Sequence, residues 1–274
     1  MHKSISFNHQ IRSSKTAILS AISPASLYGY SVFTTIAIYN SKPFLWEKHW
    51  RRVCENASRL EIDLTDFSDD SVHQSLMQLI AENGIIDGRA RLTFFDESAK
   101  GVWQIKSKNK TSLLITTADF RQVEEIILTL SPYRINSQSP LANIKSCNYL
   151  ENLLAIEEAK KRGFNETIRL NEKGEITSAA MANIFWCKDN QIFTPSLKTG
   201  CLAGTMREFL LDNFEILEVA EPIESLQHAD EIFLTSSGIG IAKVSKFEDK
   251  KIVSFQTADK FSNILHQVVN PKRK

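Results

Sequence analysis

Short stretches of this chain carry side chains that can react or hold a ligand. Lys145 stands in Asn143-Ile-Lys-Ser-Cys-Asn-Tyr-Leu150, just ahead of an apolar run with helical spacing. A buried amine loses its charge more readily, and a neutral amine can attack a carbonyl carbon to form a Schiff base. His49-Trp-Arg-Arg52 sets positions 49 and 52 three apart, so on a helix they share a face. Gly204-Thr-Met-Arg207 reads as a turn into a helix, and the first amides of a helix lack internal partners and suit an anion. Thr235-Ser-Ser237 follows the strand-like Asp230-Glu-Ile-Phe-Leu234 and either offers hydroxyls or forms a plain serine-rich turn. An amine, an arginine and a helix start are suited to a ligand bearing both a carbonyl and a phosphate.

Two further stretches add weight by their order: Ala182-Asn-Ile-Phe-Trp186, then Thr194-Pro195, both between the lysine and the Gly204 turn. Gly29-Tyr-Ser-Val-Phe-Thr-Thr35 precedes them all. In order and spacing the set resembles the fold-type IV pyridoxal-phosphate (PLP) enzymes, the class-IV aminotransferase family, from residue 24 to 247. The resemblance implies PLP as cofactor, anchored on Lys145, whose freed amine then acts as general base and acid. It implies that Arg52, the Thr205 and Met206 amides and the Ser237 hydroxyl hold the phosphate. Asn183 and Ser178 complete the implied cofactor contacts, and the family relationship implies a homodimer. Tyr28 and Phe33 either line the active-site mouth or pack as ordinary residues of their elements. His49 is open between a packing or hydrogen-bonding role and a catalytic one, and Arg51, off that face, reads as solvated.

The sequence departs from the family pattern in places. Tyr30 and Ser31 stand where Asp and Gly are usual. Ser178 stands five residues before Asn183, where a Glu normally pairs with the pyridine nitrogen. A serine hydroxyl can hydrogen-bond that nitrogen but cannot stabilise its positive charge as a carboxylate does. Glu175, an odd number of residues away, falls on the opposite face of a strand and is a poor substitute. Asp96-Glu-Ser-Ala-Lys-Gly101 replaces an arginine-rich substrate loop of the transaminases. A weaker electron sink favours elimination over transamination. The activity implied is therefore that of the family's lyases, which convert 4-amino-4-deoxychorismate to 4-aminobenzoate and pyruvate for folate synthesis. Alternatives are a D-amino-acid or branched-chain aminotransferase and a non-catalytic PLP-binding protein of the same fold.

These residues need elements to place them. Strands mixed with helices, without regular βαβ alternation, indicate an α+β fold, and the resemblance makes it the two-domain architecture of D-amino-acid aminotransferase-like enzymes. Residues 1–117 read as the first domain, 118–125 as a polar connection and 126–274 as the second domain, bearing Lys145. In the first, β-rich 31–39 leads through a turn at 40–43 into an amphipathic helix over 46–60. Asp70 or Ser71 is expected to cap a second helix, and 89–95 and 101–105 to form paired strands. In the second, the pattern predicts a strand at 126–130 and a helix over 146–162 with Leu150, Leu153, Leu154 and Ile156 on its buried side. Strands are expected at 166–170, 183–187, 191–193, 215–219 and 231–236, with a helix starting near Thr205.

Composition excludes several classes. The 274 residues carry net charge +1, which gives no bulk attraction for nucleic acid. No apolar run approaches the roughly 20 residues that span a bilayer. The start lacks a secretory pattern, the terminal Pro-Lys-Arg-Lys reads as a frayed end, and Cys54, Cys147, Cys187 and Cys201 lack metal spacing. The expectation is a cytoplasmic protein with reduced thiols, no metal site and a small-molecule substrate. Cys147 reads as a small packing residue.

Overall fold

A computed structural model describes residues 1–98, 110–120 and 125–270. The expected strand at 101–105, residues 99–101 of the loop 96–101, the middle of the expected connection and the terminal basic tail lie outside the described residues. The chain divides into two compact units: Met1–Phe120 with Ile144–Asn148, and Arg121–Asn143 with Tyr149–Lys274. The short segment bearing Lys145 thus groups with the first unit.

The first unit is built on an antiparallel sheet. Its strands are β1 (Ser4–Phe7), β2 (Gln10–Ser13), β3 (Ser31–Tyr39), β4 (Lys42–Pro43), β5 (Gly88–Asp96) and β6 (Thr111–Ala118), in the order β2-β1-β6-β5-β3-β4. The helices are α1 (Pro24–Tyr28), α2 (Trp46–Arg59) and α3 (Asp69–Glu82). β3 returns into β4 through Asn40 and Ser41, both at positive φ, the backbone of a tight hairpin. Alternation along the strands sends Val32, Ile36, Leu92, Phe94, Leu113 and Ile115 into a core shared with Val53, Val72, Leu76 and Leu79 of α2 and α3. Burying each such leucine contributes about 1.5–3 kcal/mol. The cap of α3 is Ser68, not Asp70 or Ser71: its hydroxyl accepts from the Ser71 amide while the Ser71 hydroxyl accepts from the Ser68 amide. That reciprocal pair satisfies two otherwise orphaned donors and starts the helix two or three residues earlier than expected.

The second unit carries a mixed sheet. Its strands are β7 (Ile126–Leu130), β8 (Glu166–Leu170), β9 (Ile176–Ala179), β10 (Asn183–Lys188), β11 (Gln191–Pro195), β12 (Leu217–Val219), β13 (Glu231–Ser236), β14 (Gly240–Phe247) and β15 (Lys250–Lys251). The order is β12-β11-β10-β13-β14-β7-β8-β9, with β15 on β14. Helices α4 (Leu150–Lys161), α5 (Thr205–Asn213), α6 (Glu224–Gln227) and α7 (Gln256–Val269) accompany it. The parallel neighbours β7 and β8 are joined by a crossover containing α4. No element was assigned from the sequence at β1, β2, α1, β9, α6, β14, β15 or α7; most of these are short, but α7 buries Ala258, Phe261 and Leu265 at helical spacing, a legible signal that was passed over.

The helix expected over 146–162 begins only at Leu150. The preceding backbone is already committed to β3: Lys145 O accepts from Phe33 N at 2.9 Å and Cys147 N donates to Ser31 O at 3.0 Å. A chain in extended pairing cannot also make helical bonds. The buried face is also not the leucine face. Leu150, Leu153 and Leu154 are 66%, 51% and 51% exposed, whereas Ala155, Ile156 and Ala159 are buried. Polar anchors set this rotation: Asn152 donates to Ala180 O at 2.5 Å, and Glu151 accepts from the buried Arg169 at 2.9 Å. Small alanines then let the helix lie close to the sheet.

Candidate functional site

In the first unit, strand pairing gives Lys145 its surroundings. Ser146 forms a bridge with Val32, so the lysine falls beside Phe33. Its ammonium nitrogen lies 4.5 Å from the centre of the Phe33 ring. The Arg91 guanidinium stands over the same ring at 3.6 Å. Arg91 also donates to Thr93 Oγ1 at 3.2 Å and approaches Cys147 Sγ at 3.5 Å. Burial is the main cause that lowers the Lys145 pKa to about 7, and the charges of Arg52 and Arg91 push the same way against a small opposing effect of Cys147. An amine in this state spends much of its time unprotonated at neutral pH, as a nucleophile or base requires.

Arg52 and His49 share a face of α2, as their spacing predicted, and both are buried. They meet on the Thr34 hydroxyl: Arg52 Nη2 donates to it at 2.9 Å and His49 Nδ1 lies 2.6 Å away. Burial, then the charges of Arg52 and Lys145, hold the His49 pKa well below its usual value, so the ring is neutral. Arg51 is exposed and reaches Glu55 at 4.0 Å, one helical turn on. Phe33 is buried under the lysine, while Tyr28 is exposed at the end of α1. Sequence reasoning missed Thr34 and Arg91. Thr34 was hidden in a β-rich run, where alternation alone put it on the face opposite Phe33. Arg91 carried a visible signal, a charge inside a strand.

The second unit gathers a different group. Asn183 opens β10 and donates from Nδ2 to Leu202 O at 2.8 Å. Its Oδ1 lies so near Gly204 that a Cβ there would come within 1.9 Å. Only glycine lets the chain pass that amide and enter α5. Gly204 is the N-cap of α5 and supplies no side-chain cap to the first amides of the helix. Thr205, Met206 and Ser237 are gathered here, with the Thr205 and Ser237 hydroxyls 3.0 Å apart. Thr235, paired with Asn183 across the strands, buries a hydroxyl that has no hydrogen-bond partner among the described residues. Arg207 is structural: it donates to Pro195 O at 2.8 Å and pairs with Glu218.

Ser178 is half-buried in β9, opposite Arg169 of β8. Glu175 is engaged elsewhere, accepting from Asn171 Nδ2 at 2.6 Å. The four cysteines are free thiols, and burial raises Cys187 to about 11, which makes it inert. No helix among the described residues is long and apolar enough to cross a membrane.

The second-unit group fits a phosphate: an uncapped helix start, paired hydroxyls and a glycine whose missing Cβ leaves the approach clear. The first-unit group fits a carbonyl ligand: a lysine with pKa about 7 beside an aromatic ring. Comparison with known proteins adds to this. The family model "Amino-transferase class IV" matches residues 31–247. Aminodeoxychorismate lyase of Bacillus subtilis is 30% identical over 256 residues, covering 88% of this chain and 86% of that protein. The solved branched-chain amino acid aminotransferase of Escherichia coli superposes with TM-score 0.93 at 23% identity, over 100% of this chain and 97% of that one. The 4-amino-4-deoxychorismate lyase structure from Pseudomonas aeruginosa gives TM-score 0.84 at 23% identity, over 96% and 98%. At such identities the two structures speak for the α+β fold alone.

Proposed function

Because the chain belongs to the class-IV aminotransferase family, we propose that it is a PLP-dependent lyase that splits 4-amino-4-deoxychorismate into 4-aminobenzoate, a folate precursor, and pyruvate. The observation that carries this reading is the 30% identity to an aminodeoxychorismate lyase along most of both chains. Lys145 would hold the cofactor, and its free amine would take the proton from the carbon that bears the substrate amine. A pKa of about 7 suits both receiving and returning that proton at neutral pH. Loss of the enolpyruvyl ether as pyruvate leaves an aromatic ring, and aromatisation supplies driving force. Bound PLP supplies the electron sink. Arg52, the Thr205 and Met206 amides and Ser237 hold its phosphate. Asn183 keeps the Gly204 turn in shape, and Ser178 accepts or donates a hydrogen bond at the ring nitrogen. A serine there leaves that nitrogen less positive than a glutamate would, which favours expulsion of a leaving group over amino transfer. Phe33 supports the amine from below, and Tyr28 contacts substrate.

The protein is further proposed to be a cytoplasmic homodimer, in keeping with its free thiols, and light scattering on the purified chain checks the dimer. The activity is tested by incubating PLP-loaded protein with 4-amino-4-deoxychorismate and measuring 4-aminobenzoate and pyruvate. Amino donors with 2-oxo acids run in parallel. Product release with little amino transfer supports the lyase. Brisk transfer with untouched aminodeoxychorismate makes it an aminotransferase, and silence in both assays with PLP bound makes it a binder.

A further inference from the structure

Thr34 is 1% exposed, and its hydroxyl has its contacts in Arg52 Nη2 and His49 Nδ1, at 2.9 Å and 2.6 Å. A hydroxyl has one hydrogen to give and two lone pairs to accept with. The guanidinium is donor only, so it occupies one lone pair. The hydroxyl hydrogen then has a single acceptor in reach, His49 Nδ1. That nitrogen must carry its lone pair, and the neutral ring carries its proton on Nε2. The order of donation is fixed: Arg52 to Thr34, Thr34 to His49. Reversing the imidazole tautomer would aim two donors at Thr34 and leave its own hydrogen unsatisfied in a buried place, typically costing about 1–3 kcal/mol.

Arginine side chains have many rotamers, and an arginine that must meet an anion gains from being held ready. We propose that Thr34 and His49 are positioning residues that pre-set the Arg52 guanidinium for a phosphate group. Neither touches the ligand in this scheme. Thr34 supplies the oxygen on which one edge of the guanidinium rests, and His49 orients that oxygen by taking its hydrogen. The inference rests on the reading of Arg52 as a phosphate contact.

The test compares two ligands that differ only in the group at issue, PLP and unphosphorylated pyridoxal. Dissociation constants are measured by absorbance for wild type, Thr34→Val, Thr34→Ser, His49→Ala, His49→Asn and Arg52→Ala. Thr34→Val keeps the shape and removes the hydroxyl, and should weaken PLP binding by about tenfold while changing pyridoxal binding little. Thr34→Ser restores the hydroxyl and should restore PLP affinity. His49→Asn, with an oxygen acceptor near the Nδ1 position, should outperform His49→Ala. An unchanged ratio of PLP to pyridoxal affinity in Thr34→Val, alongside a changed ratio in Arg52→Ala, would overturn the positioning role and leave the phosphate reading standing. An unchanged ratio in Arg52→Ala would remove the phosphate reading itself, and the inference with it. If the Thr34 variants do not fold, nitrogen-15 NMR of the wild-type protein decides. A His49 ring protonated on Nε2 supports the scheme, and a proton on Nδ1 overturns it.

Discussion

In the first unit Arg52, Arg91 and Lys145 are cations gathered around one strand, and the field of the two arginines adds to burial in stripping the lysine of its proton. In the second unit the buried arginines are cancelled locally: Arg169 meets Glu151 and Arg207 meets Glu218. What remains at the Gly204 turn is neutral, made of amides, hydroxyls and the Asn183 carboxamide. The first unit therefore offers charge and reactivity, held by side chains. The second offers backbone donors, whose placement depends on close packing. Substitutions should fail in different ways in the two units: chemistry and ion binding in one, shape in the other.

Lys145→Ala should show the largest effect. Borohydride treatment of PLP-loaded wild type should fix the cofactor to a peptide containing Lys145, and the variant should lose both the adduct and turnover. Label on another lysine would break the contrast at its root. The same residue predicts a pH dependence in the cofactor-free protein. The folded state gives up the Lys145 proton near pH 7, whereas an unfolded chain keeps it to about 10.4. Between those values the unfolded state binds more protons, so stability should climb with pH. Urea midpoints from pH 7 to 9 should rise more in wild type than in Lys145→Met, and parallel curves would refute the shift.

Arg52→Ala comes next. Loss of a charge-assisted bond of about 1.5–3 kcal/mol should weaken PLP binding by roughly ten- to hundredfold, with folding kept. Gly204→Ala tests the shape side. Its Cβ would meet Asn183 Oδ1 at 1.9 Å, so stability should drop by about 1–3 kcal/mol, read as a lower denaturation midpoint, together with cofactor retention. If Gly204→Ala keeps full stability, the packing argument for the second unit fails. Ser237→Ala should be mildest. A neutral hydroxyl contributes about 0.5–1.5 kcal/mol, a few-fold loss of PLP affinity. A Ser237 effect exceeding that of Arg52 would invert the comparison.

Much of this was readable in the chain. The α+β class, the strands at 31–39, 126–130 and 166–170, and the helices from Trp46 and Thr205 were legible from β-rich runs, helical spacing in 46–60 and the glycine turn at Gly204. The shared face of His49 and Arg52 followed from helical spacing. Two of the failures share a cause, since distant partners overruled local pattern. Leu150, Leu153 and Leu154 have helical spacing, yet Asn152 and Glu151 turn the opposite face inward. Residues 146 and 147 were expected to be helical but are claimed by β3, more than a hundred positions earlier. Thr34 could not be singled out because its role depends on two residues of α2 reaching one hydroxyl.

The pairing of Ile144–Asn148 with β3 also bears on how the protein is made. A ribosome that has released residues 1–120 has delivered the strands of the first unit but not this closing segment. Until it emerges, the Phe33 amide and the Ser31 carbonyl lack their partners, and the core lacks Ile144. At about 5–20 residues per second, the nascent chain passes through an interval with an open strand edge, a form prone to aggregation. A gene truncated after residue 120 would freeze the protein in that interval. The segment that delivers the reactive lysine is thus also the last piece the first unit waits for during synthesis.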